Sequence, residues 1–117
     1  MRHRLVKLLN DVAGAGASIQ QFTAGMTEAD YQADLRTRRA VEREFTIIGE
    51  ATRRLGQEFP EVLPRITATA EIVSFRNVLT YGYDVVEDDV VFSIVHKRLP
   101  RLLAEVQALM DEERRTP

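Results

Sequence analysis

Apolar residues recur along this chain at the three- and four-residue intervals of an amphipathic α-helix, and no segment alternates as a β-strand does. The first such segment runs over about residues 4–22 and suits one long helix of a bundle. Its apolar positions form two seven-residue repeats: Leu5, Val12 and Ile19, with Leu8, Ala15 and Phe22. Gly14 and Gly16 each weaken this helix by about 1 kcal/mol relative to alanine, unless a neighbour packs closely there.

A short turn and a second long helix are predicted next. Gly25 is expected to end the first helix. Thr27 should cap the turn, with Asp30 three residues later completing a capping box. The second long helix is predicted over about 37–57, and Gly49 in its middle indicates close approach of another helix. The inner stripe of this helix is Val41, Phe45, Ile48, Thr52 and Leu55.

Two more helices complete the predicted fold. The loop FPEVLPRI precedes a third helix, expected over about 67–82. A fourth helix follows the acidic DVVEDD, and Pro100 within it should produce a kink, because proline removes one backbone hydrogen bond. Its stripe is Val90 or Val91, then Ile94, Val95, Leu99, Leu102, Val106 and Leu109. The polar end from about residue 111 is expected to fray. The predicted fold is an all-α antiparallel up-down bundle of four to five helices.

Composition narrows the class of protein further. The 117 residues correspond to a single domain, 1–117, and hydrophobic residues make up 44% of the chain. The chain has no cysteine, which excludes disulfides and thiolate metal sites. No apolar run approaches the length of a membrane span, so we expect a cytoplasmic protein without a membrane partner. The net charge of −2 excludes a global basic field, and any contact with RNA requires a local patch.

Charged side chains offer one local patch, on the second long helix. Its arginines are Arg36, Arg38, Arg39, Arg43, Arg53 and Arg54, with glutamates interleaved among them. They form either a solvated helix face or a phosphate-contacting face. The two histidines, His3 and His96, are far apart in sequence and are interpreted as surface residues rather than metal ligands.

The stretch SFRNVLTYGYDVVEDD holds one arginine, one asparagine and two tyrosines in tight spacing, and it breaks at a glycine. On a helix, Arg76, Thr80 and Tyr83 share one face near its C-terminus, and Asn77 flanks the arginine. The cluster is either a helix-end hydrogen-bond network or a site where a guanidinium holds a phosphate. Glu50 is either an exposed glutamate or a half-buried carboxylate that needs a cation, for which Arg76 is the candidate.

Two blocks of the chain resemble a known family. FRNVLTYGYDVV is similar to the signature of the HepT-like branch of the HEPN superfamily, which reads R-[DN]-x-L-x-H-x-Y, and FTIIGEATRRLGQEFPE is similar to its second-helix signature. The resemblance covers nearly the whole chain. It implies a homodimeric helical bundle that acts as the toxin of a toxin–antitoxin pair, a ribonuclease that needs neither metal nor cofactor. The implied partner is a minimal nucleotidyltransferase (MNT) antitoxin, which transfers AMP from ATP to the motif tyrosine.

The resemblance assigns roles to four residues. Arg76 matches the motif arginine, Asn77 the polar residue after it, and Tyr83 the tyrosine that accepts AMP. Tyr81 occupies the position of the motif histidine. A histidine with a pKa near 6.5 can act as acid or base at neutral pH, whereas a tyrosine with a pKa near 10 can only donate a proton. General acid–base catalysis contributes roughly 10²–10⁴-fold, so a weak nuclease or none is expected.

Three functions therefore stay open. The first is a HepT-like toxin with ribonuclease activity. The second is a catalytically silenced module that binds an MNT nucleotidyltransferase, RNA or a nucleotide. The third is a structural dimer without chemistry.

Overall fold

The computed structural model describes residues 1–67 and 88–116 of the chain, and all regular structure in these ranges is helical. The elements are α1 (His3–Thr23), α2 (Glu28–Ala33), α3 (Leu35–Glu58), a 3₁₀ turn (Leu63–Arg65), α4 (Asp88–Lys97) and α5 (Leu99–Arg115). The predicted all-α class is confirmed. The helix predicted over 67–82 lies outside the described residues, apart from Thr67.

The long helices α1, α3 and α5 form the centre of the bundle. α1 packs against both α3 and α5, and the short α4 packs against α2 and α5. Arg4 near the start of α1 pairs with Glu58 at the end of α3, with 2.9 Å between Nε and Oε1. Arg2 likewise reaches Glu113 near the end of α5. Both ion pairs join opposite ends, so α1 runs antiparallel to α3 and to α5, as predicted.

The predicted apolar stripes form the core, with one exception, Phe22. All five stripe positions of α3 are buried, and so are most of those of α1, α4 and α5. Phe22 was expected in the α1 stripe, but it lies in the last turn of that helix and its side chain is 39% exposed. On α4, Val91 is buried and Val90 is exposed. The hydroxyl of buried Thr52 donates to the backbone oxygen of Gly49, which removes the cost of its burial.

The chain reversal between α1 and α3 follows the predicted turn chemistry. Gly25 has a φ of +74°, the left-handed conformation expected just beyond a helix C-terminus. The predicted capping box is present: the Asp30 backbone N–H donates to Thr27 Oγ1, and the Thr27 N–H donates to Asp30 Oδ2. Asp34 caps α3 by accepting the Thr37 N–H at 3.0 Å. This cap starts α3 at Leu35, two residues before the predicted start.

Close packing explains one of the two glycines in α1. A methyl group on Gly16 would overlap the side chain of Leu103 on α5, whose Cγ would lie 3.1 Å away, so the two helices approach closely at this point. No atom lies within 4 Å of the corresponding position at Gly14. Close packing of a neighbouring helix, which was expected to account for a glycine within α1, is therefore found at Gly16 and not at Gly14.

The predicted interruption at Pro100 is present, and the predicted fourth helix is two consecutive helices. α4 ends at Lys97 and α5 begins at Leu99, with Arg98 between them. Pro100 lies in the first turn of α5, where its missing N–H would have no partner within the helix. On the two sides of this interruption the contacts differ: α4 packs against α2, whereas α5 packs against α1.

The C-terminal residues are helical rather than frayed. α5 continues to Arg115, and Glu113 is buried despite its charge. Arg2 explains this burial, because its backbone N–H donates to Glu113 Oε1 at 2.7 Å and its guanidinium donates to both carboxylate oxygens. These hydrogen bonds hold the pKa of Glu113 below its usual value. The chain contact between residues 2 and 113 could not be read from local composition.

None of the described helices is both long and apolar enough to cross a membrane.

Candidate functional site

The candidate site residues fall in two parts of the chain. Arg76, Asn77, Thr80, Tyr81 and Tyr83 lie outside the described residues. Their roles stay predictions from the sequence. Glu50 lies within the described residues, so its exposure, its hydrogen-bond partner and the cavity beside it can be given.

Glu50 is partly exposed on α3. Its side chain is 32% exposed, and Oε2 accepts a hydrogen bond from the Arg53 guanidinium one turn later, at 3.1 Å. Glu50 is therefore neither fully exposed nor fully buried, and an arginine does accompany it. The predicted partner, Arg76, is outside the described residues, so that pairing stays a prediction.

Glu50 lines a cavity of about 250 Å³ between α1 and α3. The cavity is lined by Leu8, Asp11, Arg43, Thr46, Ile47, Glu50, Ala51 and Arg54. Both of its carboxylates are paired: Glu50 with Arg53, and Asp11 with Lys7 at 2.8 Å. Arg43 and Arg54 form no ion pair with any described residue. The described lining of the cavity therefore combines apolar side chains with two guanidinium groups that form no ion pair within residues 1–67 and 88–116.

A second cavity, of about 560 Å³, lies between the end of α3 and the 3₁₀ turn. Within the described residues it is lined by Gly56, Pro60, Leu63, Pro64, Ile66 and Thr67. None of these described side chains carries a charge, so the described part of this cavity holds no ionisable group despite its larger volume.

Two polar contacts hold the chain on either side of the segment that carries the motif. Before it, the Thr67 backbone N–H and hydroxyl both donate to Glu105 Oε1 on α5, at 3.1 and 3.0 Å. After it, Arg38 on α3 pairs with Asp88 at the start of α4, at 3.1 Å. Neither contact is predicted by the pattern of residues along the chain. No sequence signal marks them, because the partners are 38 and 50 residues apart.

Tyr31 is a buried titratable group that the sequence analysis also missed. Its ring is fully buried on α2 and packs against Phe92 of α4, with ring centroids 5.6 Å apart. Its hydroxyl has no hydrogen-bond partner among the described residues. Burial, reinforced by Glu42 and Asp88, raises the pKa of this phenol well above its ordinary value of 10. Tyr31 therefore stays neutral and serves the core rather than proton transfer.

Both histidines are exposed, as predicted. The Nδ1 atom of His96 lies 3.0 Å from the backbone oxygen of Phe92, and its ring stacks on the Phe92 ring at 4.2 Å. His96 is thus engaged within its own helix.

The described helices thus define an all-α bundle with two arginines, Arg43 and Arg54, beside Glu50 in the cavity between α1 and α3. The family model described as "Ribonuclease HepT-like" matches residues 13–109, which include the whole motif stretch and both blocks of the resemblance. The chain belongs to this HepT-like, HEPN-type family.

Curated relatives agree with this membership. "Probable ribonuclease HepT" of Thermococcus cleftensis is 31% identical over 101 residues, covering 86% of this chain and 91% of the relative. "Putative RNase MJ1380" of Methanocaldococcus jannaschii is 30% identical over 108 residues, covering 92% of this chain and 98% of the relative.

A third relative is longer than this chain. "Gamma-glutamylcyclotransferase and putative RNase MJ0434", also of Methanocaldococcus jannaschii, is 30% identical over 112 residues. The match covers 96% of this chain but only 50% of that relative, so the chain spans about half its length. No solved structure gives a significant match to the chain.

Proposed function

We propose that this protein is a HepT-like toxin that cleaves RNA without a metal ion. The observation that carries the proposal is the family match over residues 13–109, which includes Arg76, Asn77 and Tyr81. In this proposal Arg76 binds the scissile phosphate and Asn77 flanks it. The RNA 2′-hydroxyl attacks the phosphorus and passes its proton to a water molecule, so a 2′,3′-cyclic phosphate forms while the bond to the 5′-oxygen breaks and that oxygen gains a proton. Tyr81, as a neutral phenol, supplies the proton to the leaving oxygen.

The same proposal includes assembly and control. A symmetric dimer brings Arg76 of both subunits towards one cleft, which concentrates positive charge in a chain with a net charge of −2. An MNT nucleotidyltransferase antitoxin transfers AMP from ATP to the Tyr83 phenol oxygen, and pyrophosphate leaves. Adding a charged phosphate two residues from Tyr81 would repel the RNA backbone. A cytoplasmic location is part of this proposal.

A second candidate is a catalytically silenced protein that binds a nucleotidyltransferase or RNA. Tyr81 favours it, because a phenol with a pKa near 10 hardly accepts a proton at neutral pH. This protein would keep the Arg76 phosphate contact and present Tyr83 for modification, but it would not cut.

RNA cleavage by the purified protein in the presence of EDTA tests the proposed activity. We expect slow cleavage by the parent, and Arg76→Ala should reduce its rate about 10²-fold, as for the loss of one transition-state donor. The variant also controls for contaminating nucleases, because it passes through the same purification. Equal cleavage by parent and Arg76→Ala would refute the role of Arg76, and absence of cleavage in the parent would favour the silenced protein.

Mass spectrometry tests the proposed control by AMP. The protein is incubated with ATP and a minimal nucleotidyltransferase encoded beside it, and the expected product carries at least one added AMP. Tyr83→Phe should lose this mass shift. Tyr31→Phe, which removes the hydroxyl of a buried tyrosine, should keep it. An unmodified parent under these conditions would count against the antitoxin proposal but not against ribonuclease activity.

A further inference from the structure

The exposed side of α3 carries a line of three arginines, Arg36, Arg43 and Arg54, here called the arginine stripe. They are separated by 7 and 11 residues, which places all three within about 20° of one line along the helix. At 1.5 Å per residue the stripe is about 27 Å long. The core positions of α3, including Phe45 and Thr52, are on the opposite side of the helix.

The arginine stripe differs from the other arginines of α3 in its contacts. Arg38 pairs with Asp88, Arg39 with Glu42, and Arg53 with Glu50, each at 3.1 Å. No described residue forms an ion pair with an arginine of the stripe. Three exposed guanidinium groups thus lie on one face of α3 without an ion pair to residues 1–67 or 88–116, in a chain whose net charge is negative.

We propose that the arginine stripe binds the sugar–phosphate backbone of single-stranded RNA. This inference rests on the proposed function, since it assigns a binding surface for the same substrate outside the motif. A guanidinium matches two phosphate oxygens in a bidentate geometry, and a linear array of such groups follows a linear polyanion.

The adjoining cavity determines what kind of contact the stripe makes. Among the described residues, Arg43 and Arg54 line it and no aromatic side chain does, so this part of the lining offers guanidinium groups and no platform on which a base can stack. Its carboxylates, Asp11 and Glu50, are paired with Lys7 and Arg53, which reduces their repulsion of a phosphate. The stripe therefore positions RNA of any sequence, and it does not select bases.

Fluorescence anisotropy with 2′-O-methyl RNA tests this inference, because that RNA lacks the nucleophile for cleavage and survives in the assay. Two short single strands of unrelated sequence are titrated with the protein at several salt concentrations. For Arg43→Gln/Arg54→Gln we expect about 10- to 30-fold weaker binding near 0.1 M salt. The slope of log K against log salt should fall by about 1.4, since each phosphate contact in a single strand contributes about 0.7. Both RNA sequences should lose the same factor.

The matched control is Arg114→Gln/Arg115→Gln, which removes the same two charges from exposed positions at the end of α5. Binding by the stripe variant within twofold of this control, or no binding by the parent, would overturn the inference. Cleavage of unmodified RNA is measured separately. A parent that binds but does not cut would leave the stripe in place and refute the nuclease proposal. A parent that cuts RNA, with equal RNA binding by the two double variants, would support the nuclease proposal and refute the role of the stripe.

Discussion

Replacing Tyr81 with histidine is expected to raise the rate of RNA cleavage by about 10²–10⁴-fold, the usual contribution of general acid–base catalysis. The substitution puts a group with a pKa near 6.5 where the parent has a phenol with a pKa near 10. The imidazole can take the 2′-hydroxyl proton or protonate the leaving oxygen at neutral pH, whereas the phenol can do only the second. Single-turnover cleavage of a labelled RNA measures the gain.

The pH dependence separates this gain from a change in binding. Cleavage by Tyr81→His should change most steeply near pH 6.5, and cleavage by the parent should not. Tyr81→Phe is the matched control, because it keeps the ring and removes the only proton that the parent can donate. A parent that already cuts as fast as Tyr81→His would show that the histidine position is not limiting. Equal rates for Tyr81→Phe and the parent would exclude proton donation by Tyr81.

Phe45→Ala is expected to lower the free energy of unfolding by about 3–5 kcal/mol, the cost of emptying a phenylalanine site in a packed core. Phe45 is fully buried on α3. Phe22→Ala makes the same chemical change at a side chain that is 39% exposed, and its expected cost is below about 1 kcal/mol. Urea unfolding of both variants at equal protein concentration measures the difference, since an associating protein gains stability with concentration. Similar losses for the two variants would place Phe22 in a buried interface.

The helices were largely predictable because their signals are local. The stripe of α3, the left-handed Gly25 and the Thr27–Asp30 capping box each depend on residues within one or two turns of one another. Pro100 was identified correctly as a disruption, and the structure has two consecutive helices that meet at Arg98.

The candidate site was predictable only in part. The order of residues around Arg76, Tyr81 and Tyr83 resembles the HepT-like signature. The family match over 13–109 confirms that the chain belongs to that family. The basic residues of α3 were recognised as a group with two interpretations. Their division into paired arginines and the arginine stripe required the positions of Asp88, Glu42 and Glu50 relative to each guanidinium.

The sequence by itself determined the all-α class, the apolar faces of the helices and the family, because periodicity, caps and motif spacing are properties of neighbouring residues. Only the tertiary structure decided which individual residues of these patterns are buried, closely packed or paired with a distant charge. It buried Phe45 and left Phe22 exposed, packed Gly16 against Leu103, and joined Arg2 to Glu113 and Arg38 to Asp88. These choices depend on side chains that are distant in sequence, and only the packing of the helices brings such side chains within contact distance.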